Sequence, residues 1–308
     1  MSAQERIDAV MLVGFGAPTR PEQIRPFLDN LLRGRPVPKE RYEEVVRHYE
    51  AVGGGSPYND LTNRQAKALR ERLTRDGVEI PVAVGMRNWE PYVLDAMREL
   101  QRAGARRVLG FVLAAHRCEA SWERYQETVR AAQEQLGTDA PEVVYPQPWH
   151  AHPKFIEAVA SRTRHALDRL SPADAARAHL LFTAHSIPVA MAQKSGYVDE
   201  VRESARLVAK ALSREKWSLA FQSRSGSPRE QWLEPDITPA LRALGGNAVV
   251  IIPIGFLCDH LEVLYDLDVD ARKITDEAGI VMERAGTVGD HPAFIEMIAS
   301  IVANYRRT

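Results

Sequence analysis

Between Gly255 and Ala271 the chain reads GFLCDHLEVLYDLDVDA, which holds Asp259, His260, Glu262, Asp266, Asp268 and Asp270 and no Lys or Arg. Carboxylates are hard oxygen ligands, and a row of them can hold or pass along a divalent cation. Glu262, Asp266 and Asp270 fall at i, i+4 and i+8, so a helix here carries them along one face. Leu261, Val263, Leu264 and Leu267 then take the buried side. Like charges four apart on a helix repel by roughly 0.2–0.5 kcal/mol per pair, so three of them with no cation between need a reason. The plain alternative is a solvated acidic face. Against it stand the position directly after the most apolar run, NAVVIIPI, and the company of His260.

A second candidate is His185 in FTAHSIP, again at the end of an apolar run. An imidazole titrates near neutral pH and, when neutral, ligates metals such as Fe2+. One histidine facing one carboxylate makes a labile metal site or an acid–base pair, not a closed structural centre. His260, beside Asp259, reads better as the cap of the helix start. His116, His150 and His152 are further histidines that spacing alone does not place. HExxH, CxxC and paired-histidine zinc motifs are absent from the sequence, so a permanently held structural metal is not expected.

These residues need strands and helices to bring them together. Short β-rich runs alternate with helical stretches: 9–15, 81–86, 107–113 and 142–145, then 179–184, 217–222, 247–254 and a weaker 279–285. LTNRQAKALRERL and YVLDAMRELQRAG carry helical periodicity. Gly104 and Gly137 suit helix ends, and Pro91 and Pro292 suit first turns. Such alternation predicts α/β architecture with parallel sheets. The halves echo one another: AVMLVGFGAP matches HLLFTAHSIP, and RVLGFVLAAH resembles VVIIPIGFLCDH. Two Rossmann-like domains are therefore expected, facing a common cleft, with PQPWHAHPKF as the linker. In open parallel sheets ligands bind beyond the carboxyl ends of the strands. That rule gathers GFGAPTR, AAHRCEAS, TAHSIP and GFLCDHLE, three of them bearing a histidine.

Composition removes other classes. The chain has 308 residues, 45% hydrophobic and 26% charged, with a formal net charge of −1. Nothing in that balance points to nucleic acid. Cys118 and Cys258 are the only cysteines, too few for a disulfide framework or a four-cysteine cluster, and they fit a reducing cytoplasm. The run in MSAQERIDAVMLVGF reads as a first core strand rather than a signal peptide. The longest apolar run, near Ala248 to Leu257, is about half the ~20 residues of a membrane helix, so membrane insertion is not expected. Gly14-Phe15-Gly16 lacks the third glycine of a dinucleotide fingerprint, and Gly53-Gly54-Gly55-Ser56 lacks the Lys of a phosphate loop. A Gly-x-Ser-x-Gly elbow is missing too.

FTAHSIP, FQSRSG with WLEPDI, and PIGFLCDHLEVLYDLD together resemble the ferrochelatases, as do YEAVGGGSPYNDLTNRQA and VGMRNWEPYVLDAM in the first half. The resemblance runs in order through essentially the whole chain. It implies a chelatase-like fold: residues 1–147 as one Rossmann-like domain, 148–286 as the second, and 287–308 as a helix returning to the first, around a central porphyrin cleft. It implies insertion of Fe2+ into a porphyrin without ATP, in haem biosynthesis. His185 and Glu262 take the family positions for metal ligation and proton acceptance. Asp266 and Asp270 extend the row as a cation relay or accessory divalent site. Fe2+ is then a substrate, with no cofactor permanently bound.

The porphyrin calls for apolar walls and anion-binding groups. Phe15, Met86, Trp89 and Trp232 are wall candidates; Arg33, Arg35, Ser56 and Tyr125 are candidates for the propionates, which suit the fork of an arginine. Only sixteen residues separate LLRGRP from GGGSP, and a hydrophobic lip is not evident, which resembles the compact coproporphyrin III ferrochelatases. Relative to these, Phe15 stands where Tyr is common, Leu32 and His48 where Arg is, and Arg87 where Lys is. The resemblance implies a protein that meets porphyrin, Fe2+ and, transiently, neighbouring haem-pathway enzymes; a cytoplasmic monomer is expected, since the sequence shows no long exposed heptad or sticky patch. Other readings are a protoporphyrin IX enzyme, a cobalt or sirohydrochlorin chelatase, or a porphyrin carrier without catalysis.

Overall fold

The computed structural model describes residues 6–225, 230–246 and 248–307. Gly226 of FQSRSG, Asn247 of the seventh strand run and the first five residues lie outside them. The chain forms two compact units: residues 1–114, 120–149 and 289–308, and residues 115–119 with 150–288.

Unit 1 runs β1 (Ala9–Gly14), α1 (Ile24–Leu32), α2 (Lys39–Ala51), α3 (Tyr58–Arg75), β2 (Val82–Met86), α4 (Val93–Arg102), β3 (Arg107–Val112), α5 (Arg124–Leu136) and β4 (Glu142–Val144). Unit 2 runs α6 (Pro153–Leu167), α7 (Pro172–Arg177), β5 (His179–His185), α8 (Val189–Ala192), α9 (Tyr197–Ala211), β6 (Trp217–Gln222), α10 (Ile237–Arg242), β7 (Ala248–Ile252), α11 (Leu261–Tyr265), a π-helical turn (Asp266–Ala271), α12 (Arg272–Glu277) and β8 (Val281–Arg284). The last helix, α13 (Pro292–Arg307), groups with unit 1.

Each unit holds a four-stranded sheet, ordered β2-β1-β3-β4 and β6-β5-β7-β8, and every pairing is parallel. The two orders are the same order, so the echo between the halves is a repeat of topology. All six residues of β1 and all five of β7 are buried, as expected of central parallel strands covered on both faces. Helix α4 buries Val93, Ala96, Met97 and Leu100, the i, i+3, i+4, i+7 stripe of a helix laid on a sheet. In unit 1, Tyr305 of α13 donates to the Tyr145 carbonyl at 2.9 Å, and Ile7 N–H donates to the Tyr305 carbonyl at 3.3 Å.

One local expectation changes. Pro91 is not in a first turn: α4 starts after Tyr92, and the Pro91 carbonyl accepts from Met86 N–H at 2.7 Å. The GGG run is a helix exit, with Gly53 and Gly54 at φ 100° and 81° and the Gly54 N–H returning to the Tyr49 carbonyl at 2.8 Å. Left-handed backbone is what glycine supplies after a helix.

Candidate active site

In unit 2, parallel pairing sets His185 at the carboxyl end of β5, in register with Gln222 of β6. The loop after β7 comes in close at Gly255, whose N–H donates to the Thr183 carbonyl at 3.0 Å. A Cβ on Gly255 would lie 2.7 Å from the Ala184 Cα, so only glycine lets the loop lie against β5. His260 then caps α11, its Nδ1 accepting from Glu262 N–H at 3.1 Å, the role its position suggested. Gln222 ties the two pieces together by donating from Nε2 to the Glu262 carbonyl at 2.9 Å.

The result is a His185 Nε2 to Glu262 Oε1 separation of 3.4 Å, with 30% and 37% of the side chains exposed. The His185 Nδ1 meets the Ser186 carbonyl; a carbonyl only accepts, so Nδ1 carries the hydrogen and neutral imidazole presents its Nε2 lone pair. Burial alone lowers the His185 pKa, but the Glu262 charge, their hydrogen bond and the Ser186 carbonyl together raise it. The Tyr197 hydroxyl holds the His185 carbonyl at 2.9 Å. His185 and Glu262 are thus a fixed, partly exposed pair able to accept a proton or a divalent cation such as Fe2+.

The rest of the acidic stretch departs from a uniform row. After Tyr265 the helix continues as a π-helical turn, so strict i, i+4 stacking of one α-helical face does not hold. Asp266 takes a hydrogen bond from the Ser223 hydroxyl. Its pKa rises to about 7, chiefly from burial and then from Glu262 and Asp270, against the lowering by Ser223. Asp270 is exposed. The stretch is also not left without a counter-charge. Arg284 of β8 reaches Asp268 at 2.6 Å and Asp259 at 3.3 Å. Among the described residues, no group of three or more His, Cys, Asp or Glu is placed to hold a metal ion. His185, Glu262, Asp266 and Asp270 therefore do not form a closed cage.

His116, His150 and His152 serve the framework of unit 2. His116 is buried against Ser204 Oγ at 3.0 Å, its pKa pushed down to about 3 by burial and then by His150. His150 meets Glu203 at 3.2 Å, and His152 caps α6. The HRCE loop is fastened to unit 2 by Arg117, whose side chain and N–H bind Glu200 at 2.8–3.2 Å.

In unit 1 the predicted porphyrin residues divide. Arg33 and Met86 line one cavity of about 500 Å3, with Arg87, Tyr92, Val93, Leu94 and Arg124. Arg87 Nε is buried without a hydrogen-bond partner, and its pKa is lowered by burial and then by Arg33. An arginine desolvated beside other arginines is poised for a carboxylate. Arg124 carried no sequence signal of its own, since it opens a helix among ordinary surface residues. Phe15 is 37% exposed and lies edge-on to Phe27, which also meets Trp89. Arg35 donates to the Leu32 carbonyl at 3.2 Å. Ser56 is buried and accepts from Tyr58 N–H, while Tyr125 sits in the core with Val112 and Val129. Trp232, in unit 2, is buried beside Pro188.

Comparison with known proteins gives one family. The ferrochelatase family model matches residues 7–306. A protein named ferrochelatase from Rhodopirellula baltica is 41% identical over 306 residues, 98% of this chain and 87% of that one. A coproporphyrin III ferrochelatase of Mycolicibacterium paratuberculosis is 42% identical over 305 residues, 97% of this chain and 88% of that one. Among solved structures, SirB from Bacillus subtilis with Fe3+ superposes with a TM-score of 0.62 at 12% identity, covering 97% of this chain and 95% of that one. At that identity the likeness concerns the fold alone.

Proposed function

The chain belongs to the ferrochelatase family, and on that premise we propose that its porphyrin is coproporphyrin III and that His185 and Glu262 carry the insertion. The reaction itself follows from membership: Fe2+ enters the macrocycle and two pyrrole protons leave, with no ATP consumed. Both protons need acceptors near the metal. The observation that carries the assignment is the His185–Glu262 pair, 3.4 Å apart, with the Nδ1 hydrogen committed to a carbonyl. Nε2 and Oε1 are then the two atoms available for metal and proton. Asp266, held by Ser223, adds an oxygen whose charge depends on pH.

Coproporphyrin is supported by the names of relatives at 39–42% identity and by the arginines of unit 1. Four propionates ask for more cations than two do, and Arg33, Arg87 and Arg124 line one cavity together with apolar Met86, Val93 and Leu94 and the carboxylates Asp95 and Glu127, so its cations exceed its anions by one. We assign Phe15, Arg35, Ser56, Tyr125 and Trp232 supporting roles in porphyrin binding, and read the protein as a cytoplasmic monomer with domains 1–147, 148–286 and 287–308. Among the described residues no helix is long and apolar enough to cross a membrane.

The test is anaerobic Fe2+ insertion with coproporphyrin III and protoporphyrin IX in parallel. A higher kcat/KM for coproporphyrin supports the assignment. A preference for protoporphyrin refutes the substrate while leaving the reaction, and tight porphyrin binding with turnover of neither would mark a carrier.

A further inference from the structure

Arg284 ends β8, an outer strand of the unit 2 sheet, paired with Ile251 of β7. Its side chain is only 13% exposed. Nε and Nη2 donate to the two oxygens of Asp268 at 2.6 and 2.8 Å. Nη1 and Nη2 donate to the two oxygens of Asp259 at 3.3 Å each, and Nη1 also reaches the Ala285 carbonyl at 3.3 Å. A guanidinium has five N–H donors, and here each has an acceptor. The Ala285 N–H in turn donates to the Ile251 carbonyl at 2.9 Å, so the fork stands on the sheet.

The two aspartates bracket the residues that face His185. Asp259 precedes the His260 cap, and Asp268 sits within the π-helical turn. Two residues along a helix is about half a turn. Asp268 therefore points away from Asp266 and Asp270, and the acidic stretch sorts onto two faces. One face, Asp259 and Asp268, is neutralised by Arg284; the other, Glu262 and Asp266, meets His185 and Ser223. A π-helical turn is an uncommon conformation, found mostly at functional sites, and an α-helical turn here would shift the carboxylates after Asp266 around the axis.

We infer that Arg284 is a positioning residue for the metal-handling carboxylates: by clamping Asp259 just before α11 and Asp268 in the π-helical turn just after it, Arg284 fixes both ends of the segment that carries Glu262 and Asp266. It acts by neutralising Asp259 and Asp268, which leaves Glu262 and Asp266 as the carboxylates that meet His185 and Ser223, and by holding the chain on either side of them. Lysine cannot replace it fully, because a single ammonium cannot span both oxygens of two carboxylates. The inference rests on the reading of Glu262 and Asp266 as metal-facing groups.

The experiment is steady-state kinetics of Arg284→Lys, Arg284→Gln, Asp268→Asn and Glu262→Gln, with Fe2+ and porphyrin varied separately and melting temperatures recorded. Asp268→Asn keeps the test alive should Arg284→Gln fail to fold. The expected result is a KM for Fe2+ raised about tenfold in Asp268→Asn, the loss of one charge-assisted hydrogen bond, with porphyrin KM within about twofold of the parent. Arg284→Lys should fall between the parent and Arg284→Gln. Lowered melting temperature with an unchanged KM for Fe2+ in both Asp268→Asn and Arg284→Lys would overturn the inference and leave a buttress. Equal losses for both substrates would overturn it too. Full insertion by Glu262→Gln would instead remove the metal reading beneath it, an outcome distinct from failure of the clamp alone.

Discussion

Gly255→Ala offers a direct test of how the site is assembled, because the variant leaves every polar group in place. The added Cβ would lie 2.7 Å from the Ala184 Cα and equally close to the Ala184 Cβ. Ordinary contact between carbons begins near ~3.5 Å, so the loop must retreat by about 0.7 Å or more. Both obstacles belong to β5, a central strand buried on both faces, which leaves the loop as the part that moves. Retreat stretches the Gly255 N–H bond to the Thr183 carbonyl from 3.0 Å past useful length. Overpacking at roughly 1–3 kcal/mol plus a lost hydrogen bond at about 1 kcal/mol gives a destabilisation of about 2–4 kcal/mol. For a chain of 308 residues, at about 2.1 cal/mol/K of unfolding entropy per residue, that corresponds to a melting temperature lower by roughly 3–6 °C.

The same displacement carries His260 and Glu262 away from His185. A misplacement near 1 Å can cost on the order of 10²-fold in rate, so kcat should fall roughly 10- to 100-fold at temperatures where the variant remains folded. The assay is anaerobic Fe2+ insertion followed by porphyrin absorbance, beside a thermal melt. A variant with the lowered melting temperature but the parent's kcat would refute the claim that this close approach sets the His185–Glu262 distance.

Other predictions follow from the same geometry. His185→Ala and Glu262→Gln should each lower kcat by roughly 10²–10⁴-fold, as for loss of a proton acceptor, while fluorescence titration shows porphyrin still bound. Asp266 has a carboxyl pKa raised to about 7, so between its ordinary value and about 7 the folded state binds more protons than the unfolded one. Its contribution to stability is therefore fullest in acid and falls as pH rises through that window; denaturant titrations should show Asp266→Asn gaining stability relative to the parent from pH 4 to pH 7.5. Below pH 7 the protonated Asp266 is a poorer cation ligand, so the KM for Fe2+ should drop as pH rises past 7 in the parent and less so in Asp266→Asn. Arg87→Gln should raise the KM for coproporphyrin several-fold with kcat little changed, measured at saturating Fe2+; an unchanged KM would take Arg87 out of substrate binding.

Much of this protein was legible in the one-dimensional pattern. All eight strand runs appear in the structure, with ends shifted by a residue or two, because central parallel strands are unbroken apolar runs bounded by turns. The repeat of AVMLVGFGAP in HLLFTAHSIP announced two sheets of one topology. His260 announced itself as a cap by standing just ahead of a helical run, and His185 with Glu262 stood out by residue type at strand ends and by resemblance to a family. These signals are local, since strand and helix periodicities repeat within a few residues. What only the tertiary structure decided involves partners far apart in the chain. Arg284 lies 25 residues beyond Asp259 and supplies the charge that the acidic stretch itself lacks. Arg33, Arg87 and Arg124 reach one cavity from three separate segments. Residues 115–119 join the second unit through Arg117 and Glu200, 83 positions apart. The switch from α to π pitch after Tyr265 is likewise invisible in the spacing of Glu262, Asp266 and Asp270, and the arginine that binds Asp268 inside that turn comes from β8, beyond the reach of any local periodicity.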